Sequence, residues 1–167
     1  MTAIRKLSNG RVYIDGVDAQ GTASEVELPE IEMQVVEYEG LGLIGTPELP
    51  AGIEAMEATI TWLHCPPEFS QAMFGVARTT NIQVVADQAT YNQQTGTPVP
   101  GTYKCDLRVR PKTIGLGTVA RGGDSFENEN TFAVDYVKLQ VNGTTLLEVD
   151  AYASDGIRVN GQLQQLL

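Results

Sequence analysis

The chain is 167 residues long, carries a formal net charge of −10 and spreads 17 Gly and 8 Pro along its whole length. A chain near this size buries roughly 70% of its unfolded surface, so it needs no disulfide staple to fold. The acidic balance excludes tight nucleic-acid binding, because affinity for a phosphate backbone comes from Lys and Arg displacing counterions; residues 1–60 hold two Asp and nine Glu against Arg5, Lys6 and Arg11, a local charge of −8.

Residues 11–17 predict a first strand, since β-branched and aromatic residues suit the pleat, and Asp15-Gly16 supplies its turn. A polar turn follows over Asp18 to Ser24. From Glu30 onward, Glu30, Glu32 and Gln34 alternate with Ile31, Met33 and Val35, the period of a half-buried strand. At Val35-Val36 the phase slips, and Glu37 and Glu39 continue the polar set from the other parity, as a β-bulge would produce. A Gly-rich stretch, Gly40 to Gly52, separates this strand from Ala55 to Trp62, which reads as strand because Thr59, Ile60, Thr61 and Trp62 favour it.

Pro67 to Val76 predicts the one helix. Pro67 suits the first turn, Glu68 complements the positive dipole end, and Phe69, Ala72, Met73 and Val76 share a face. Residues 81–87 and 103–114 predict strands on either side of Tyr91 to Thr102, an exposed Gln, Thr, Gly and Pro loop with no means of building a core. Phe132 to Val141, Asn142-Gly143 and Thr144 to Val149 carry the signature of a type I′ hairpin. The expectation is a single domain over 1–167, mainly β: a barrel-like β-sandwich of about seven or eight strands with one short flanking α-helix.

The chemical motifs resolve to conformational readings. Gly40-Leu-Gly42-Leu-Ile-Gly45 matches a dinucleotide fingerprint by letter, but Pro47 and Pro50 prevent the helix that must follow it, so no cofactor is expected. His64, Cys65 and Cys105 make too few soft ligands for a structural zinc site. Adjacent His64 and Cys65 point to opposite faces of a strand and cannot share a proton. Same-face pairs such as Glu30 with Glu32, or Glu37 with Glu39, sit ~6.8 Å apart, a spacing open to acid/base chemistry, yet without an aromatic platform they read as a solvated face. No catalytic, cofactor-binding or metal residues are therefore assigned. The two cysteines are expected reduced and buried, and no run of ~18 apolar residues suits a membrane span. The apolar leader of an exported chain is also missing after Met1, so a soluble cytoplasmic product is expected.

Val12-Tyr-Ile-Asp-Gly16, Leu28-Pro29, Glu39-Gly-Leu-Gly42, Glu48-Leu-Pro50, Gly52-Ile-Glu-Ala-Met-Glu-Ala-Thr-Ile60 and Leu146-Leu-Glu-Val-Asp150, leading to Val159-Asn-Gly161, occur in an informative order. In that order and spacing, over residues 11–165, the chain resembles the major tail tube protein family of contractile-tailed phages and R-type bacteriocins. It departs from the family at Asn160-Gly161-Gln162, where the pattern has Asp after Asn-Gly.

The resemblance implies a structural subunit, not an enzyme: hexameric rings that stack into a hollow tube inside a sheath, with DNA or other cargo passing through unbound. The expected lumen strands are Glu25–Glu39 and Ala55–Trp62, with Glu30, Glu32, Gln34, Glu37, Glu39 and Glu57 as lumen-lining candidates. Gly40, Leu41, Gly42, Leu43, Ile44, Gly45, Pro47 and Glu48 are the inter-ring loop candidates, in a connection running from Gly40 to Glu54. Implied partners are the chain itself, a tail sheath protein, a tape-measure protein, a baseplate initiator and a tail terminator, and no membrane. The implied location is the virion tail, assembled in the bacterial host cytoplasm. The alternatives are the tube of a contractile secretion system and, from another class, a small carbohydrate-binding β-sandwich module. Low aromatic content (7%) and a single Trp count against the latter.

Overall fold

The computed structural model describes residues 4–122 and 127–164. Twelve strands and one short helix are arranged as β1 (Ile4–Ile14), β2 (Val17–Asp18), β3 (Ala23–Glu27), β4 (Met33–Glu37), β5 (Glu48–Ile53), β6 (Met56–Trp62), a 3-10 turn (Pro67–Phe69), α1 (Ser70–Phe74), β7 (Thr80–Tyr91), β8 (Pro98–Thr113), β9 (Asn128–Val141), β10 (Thr144–Asp150), β11 (Ile157–Val159) and β12 (Gln162–Leu163). The chain is mainly β with one short helix, as expected. Its strand number exceeds seven or eight because Leu28-Pro29 divides one predicted strand into β3 and β4, and the short strands β2, β5, β11 and β12 are added.

Ten strands form one open antiparallel sheet: eight run in the order β12-β11-β10-β9-β8-β7-β1-β2, and β6 and β3 branch off at β9. Strand β9 is the branch point. Its first half, Asn128–Val134, pairs with β6, and its second half, Tyr136–Val141, pairs with β10, while β8 runs along its other side. The edge of β9 thus launches two arms, β6-β3 and β10-β11-β12. Between them, β8 slips register past Asp135, a bulge that bends the sheet.

The bend lets period-2 alternation work on one interior. In β6 Met56, Ala58, Ile60 and Trp62 point inward and are buried, with Trp62 at 0% exposure. They join Ile14, Ile82, Leu107, Val109, Phe132, Val134, Val149 and Ile157 in one core. The 3-10 turn and the helix cover part of this core with Phe69 from the turn and Ala72 and Met73 from α1, but Val76 lies past the last helical residue and is exposed, so the predicted helical face stops at Met73. Gly75, in extended conformation, ends the helix.

Several local predictions hold. Asn142 and Gly143 both adopt positive φ between β9 and β10, and Asp15-Gly16 does so between β1 and β2. The first strand, however, starts at Ile4 and stops before the turn, so Val17 belongs to β2. The segment 91–102 is exposed but is mostly strand: β7 and β8 pair as far as Tyr91 opposite Pro98, leaving only 92–97 as loop. Register carried out from the core, with β1 pairing alongside through Ile4 opposite Tyr91, orders residues whose own side chains give no strand signal. Both cysteines are free; Cys105 is buried as expected, whereas Cys65 is exposed.

Candidate assembly surfaces

The predicted strand Glu25–Glu39 is two strands facing different tasks. Leu28-Pro29 interrupts it, because proline cannot donate to a ladder. Strand β3 remains on the main sheet beside β6, and β4 leaves to pair only with β5 as a two-stranded ribbon. The expected bulge is real but sits one step earlier and on the opposite strand, where the register slips between Gln34 and Val35 to skip Ala51.

This ribbon is not half-buried. Every residue of β4 is exposed. Met33, Val35, Glu37 and Pro50 share one face, and Gln34, Val36 and Leu49 the other, so apolar side chains stand on both sides. Met33 is 46% exposed, Val36 56% and Tyr38 56%. At the tip, Leu43 N–H donates to Gly40 carbonyl and Gly42 holds positive φ. Leu41 and Ile44 extend fully into solvent there. Of the inter-ring candidates, Gly40, Leu41, Gly42, Leu43, Ile44, Gly45 and Pro47 form this tip, whereas Glu48 is the first residue of β5 and lies opposite Glu37. Like charges directly opposite are unfavourable in an isolated ribbon.

The lumen candidates fall into two groups. Glu30, Glu32 and Glu57, joined by Glu27, surround one open concavity of about 290 Å³ with Leu28, Ala55 and Thr59. Gln34, Glu37 and Glu39 lie instead on or just beyond the ribbon. On the outward face of the main sheet, Glu25, Glu27, Glu57, Thr59, Thr61 and Glu129 form a polar row across β3, β6 and β9. Residue-by-residue reading missed Glu25, Glu27 and Glu129. The signal was available for β3, since Glu25 and Glu27 flank Val26 with the same alternation.

Glu57 differs from its neighbours because Lys112 of β8 forms an ion pair with it. The other ion pairs lie on the β7–β10 side or beside the first turn: Arg110 Nε and Nη2 both reach Asp135 Oδ2, at 3.1 and 2.6 Å, Arg108 meets Asp150 at 3.3 Å, Lys104 meets Asp106, and Arg78 meets Asp15. Arg108 also stacks over Tyr136 and Tyr152. Burial, then the hydrogen bond to Glu148 and the surrounding carboxylates, push the Tyr136 hydroxyl up to about 12. Burial beside Asp106 likewise pushes the Cys105 thiol up to about 11, which makes it a poor nucleophile.

A β sheet with long unpaired edges and a projecting two-faced apolar ribbon has the features of a structural protein built to assemble. The chain matches the family described as Phage tail tube protein FII over residues 4–162, and it belongs to that family. Members of this family are structural tail tube proteins and not enzymes. The chain is 24% identical over 152 residues to the tail tube protein of Escherichia phage P2, covering 90% of this chain and 87% of that one. In fold it resembles a chain of the sheath-tube complex of an extracellular contractile injection system in its extended state, with TM-score 0.55 and 15% identity over 78% of this chain and 87% of that chain. A chain of the tube-terminating cap of the anti-feeding prophage is similar too, with TM-score 0.54 and 13% identity over 78% of this chain and 87% of that chain.

Proposed function

We propose that copies of this tail tube protein close into hexameric rings that stack into a hollow tube, with DNA or other cargo passing along an acidic bore. The observation that carries the reading is the convergence of Glu27, Glu30, Glu32 and Glu57 on one open face of a chain that belongs to the tube family. Rotational symmetry repeats each carboxylate around the bore. A basic wall would hold DNA by counterion release; an acidic one repels it along the whole length and lets it slide. Lys112 offsets Glu57, so Glu30 and Glu32 with Glu27 supply most of that repulsion.

Gly40 to Pro47 at the ribbon tip is the stacking loop, reaching the next ring with Leu41, Leu43 and Ile44. Stacking is head to tail and does not close, so growth is open-ended and other proteins must start, measure and stop it. Those partners are a baseplate initiator, a tape-measure protein and a tail terminator, with a tail sheath protein around the tube; the likeness to chains of a sheath-tube complex and of a tube-terminating cap supports the sheath and terminator contacts. The single domain spans 1–167, and the subunit is made in the host cytoplasm before it joins the virion tail. The fold likeness to an extracellular contractile injection system favours a second reading, the tube of a contractile secretion system, which shares the architecture and differs in cargo.

Negative-stain microscopy of the purified chain at rising concentration tests the reading. Rings or hollow rods are expected. A monodisperse monomer at every concentration would remove the ring.

A further inference from the structure

Among the described residues, the main sheet ends on two long unpaired edges. Strand β1 pairs on one side only over Ile4–Arg11, because β2 covers just Tyr13 and Ile14 and Ala19 N–H takes the carbonyl of Val12. Strand β3 pairs only with β6. An exposed edge presents a row of free N–H and C=O groups that a second strand can satisfy.

The two edges carry opposite charge on the same face. On β7 Ile82, Val84 and Gln88 turn inward, so Val85 and Ala89 face outward; Arg11 opposite Val85 and Lys6 opposite Ala89 share that outward side, because the bulge between Ser8 and Arg11 adds one residue to β1 and switches its parity. Glu25 and Glu27 are also outward, since Val26 between them turns toward the core opposite Ile60. The chain matches several cations of its β7–β9 region with carboxylates internally, yet Arg5, Lys6 and Arg11 have no ion-pair partner among the described residues, and neither do Glu25, Glu27, Glu30 and Glu32.

From this we infer that the β1 edge of one copy docks on the β3 edge of the next, extending the sheet with Lys6, flanked by Arg11, set against Glu25 and Glu27. This rests on the ring reading and names the contact that builds it. Five residues of β1, Ile4–Ser8, precede its bulge, and β3 is five residues long, so Lys6 falls within a ladder of matching length and Arg11 stands just past it. The charges also choose the symmetry: β1 against β1 sets cation on cation, and β3 against β3 sets carboxylate on carboxylate. Only the unlike pairing is favourable, and an unlike pairing is head to tail, the kind that generates rings.

Three variants test it: Lys6→Glu/Arg11→Glu, Glu25→Lys/Glu27→Lys, and all four changes in one chain. All four positions are exposed, so thermal unfolding is expected to match wild type. Each two-site variant alone should need a concentration higher by about tenfold or more to form rings, because like charges then face each other. Mixing the two should restore rings in which the variants alternate, and the four-site chain should form rings by itself. Two-site variants that form rings as wild type does, or folded variants that neither mixing nor combination rescues, overturn the inference and leave the ring reading standing. A wild-type chain that never forms rings removes both.

Should a charge variant misfold, crosslinking decides in its place. Lys6 or Ser8 changed to Cys, paired with Glu25→Cys or Glu27→Cys in a Cys65→Ser background, should give a disulfide ladder of oligomers on oxidation. No ladder from any combination overturns the pairing.

Discussion

At the scale of single residues, the core and the polar outer face make opposite demands. Trp62 ends the inward row of β6 at 0% exposure, so Trp62→Ala leaves a cavity and should cost about 3–5 kcal/mol, read as a lower urea midpoint. Tyr136 gives a pH signature instead. Its folded pKa, about 12, stands above the ordinary 10.0, so the folded state holds this proton more tightly than the unfolded one. The stabilisation is complete below the unfolded value and is lost as pH rises through the folded one. The stability gap between wild type and Tyr136→Phe should therefore narrow across that window in denaturant titrations; a gap that stays constant would mean the hydroxyl is not held in this way.

At the scale of elements, the ribbon β4–β5 is the part whose local pattern and structural role diverge. Its alternation of Glu with Ile, Met and Val reads as a strand with one face on a core, and the strand exists, but past Ile31 and Ile53 at its base no core lies beneath it in the isolated chain. The apolar side chains of such a ribbon await another surface. Leu41→Ser with Ile44→Ser should leave thermal unfolding unchanged, because both side chains are already in solvent, while rings lose the ability to stack into rods under the microscope. Unaltered rods would remove the tip from the stacking contact. The β7–β8 hairpin teaches the complementary point: Tyr91 to Thr102 lacks strand propensity, but the ladder running out from Ile82 and Leu107, with β1 beside it, orders most of it.

At the scale of the whole molecule, the proposed tube makes charge distribution the property that decides how cargo passes. Wild-type tubes should not retain duplex DNA in co-sedimentation. Tubes of Glu30→Lys/Glu32→Lys should retain it, with retention falling steeply as salt rises, because the substituted rows then exchange counterions with phosphate. Equal recovery of DNA from both kinds of tube would show that these positions do not face the bore. Within the subunit, Lys112 beside Glu57 and the Arg108–Arg110 cluster on Asp150 and Asp135 confine several positive charges to internal pairs, leaving the β3 side acidic.

The sequence by itself determined the β class, the inward alternation of β6, the Asn142-Gly143 turn, the short helix behind Pro67 and the acid-rich first third, because each follows from side-chain period, backbone freedom or composition within a few residues. It also carried the ordered string of short matches that marks the tube family. Tertiary structure alone decided that Leu28-Pro29 divides the acidic segment between sheet and ribbon, that Lys112 answers Glu57 and that β9 branches to β6 and β10. It alone also decided that β1 and β3 end the sheet with opposite charge. These depend on pairings between segments far apart in the chain, and a one-residue change of register would turn every side chain concerned to the other face.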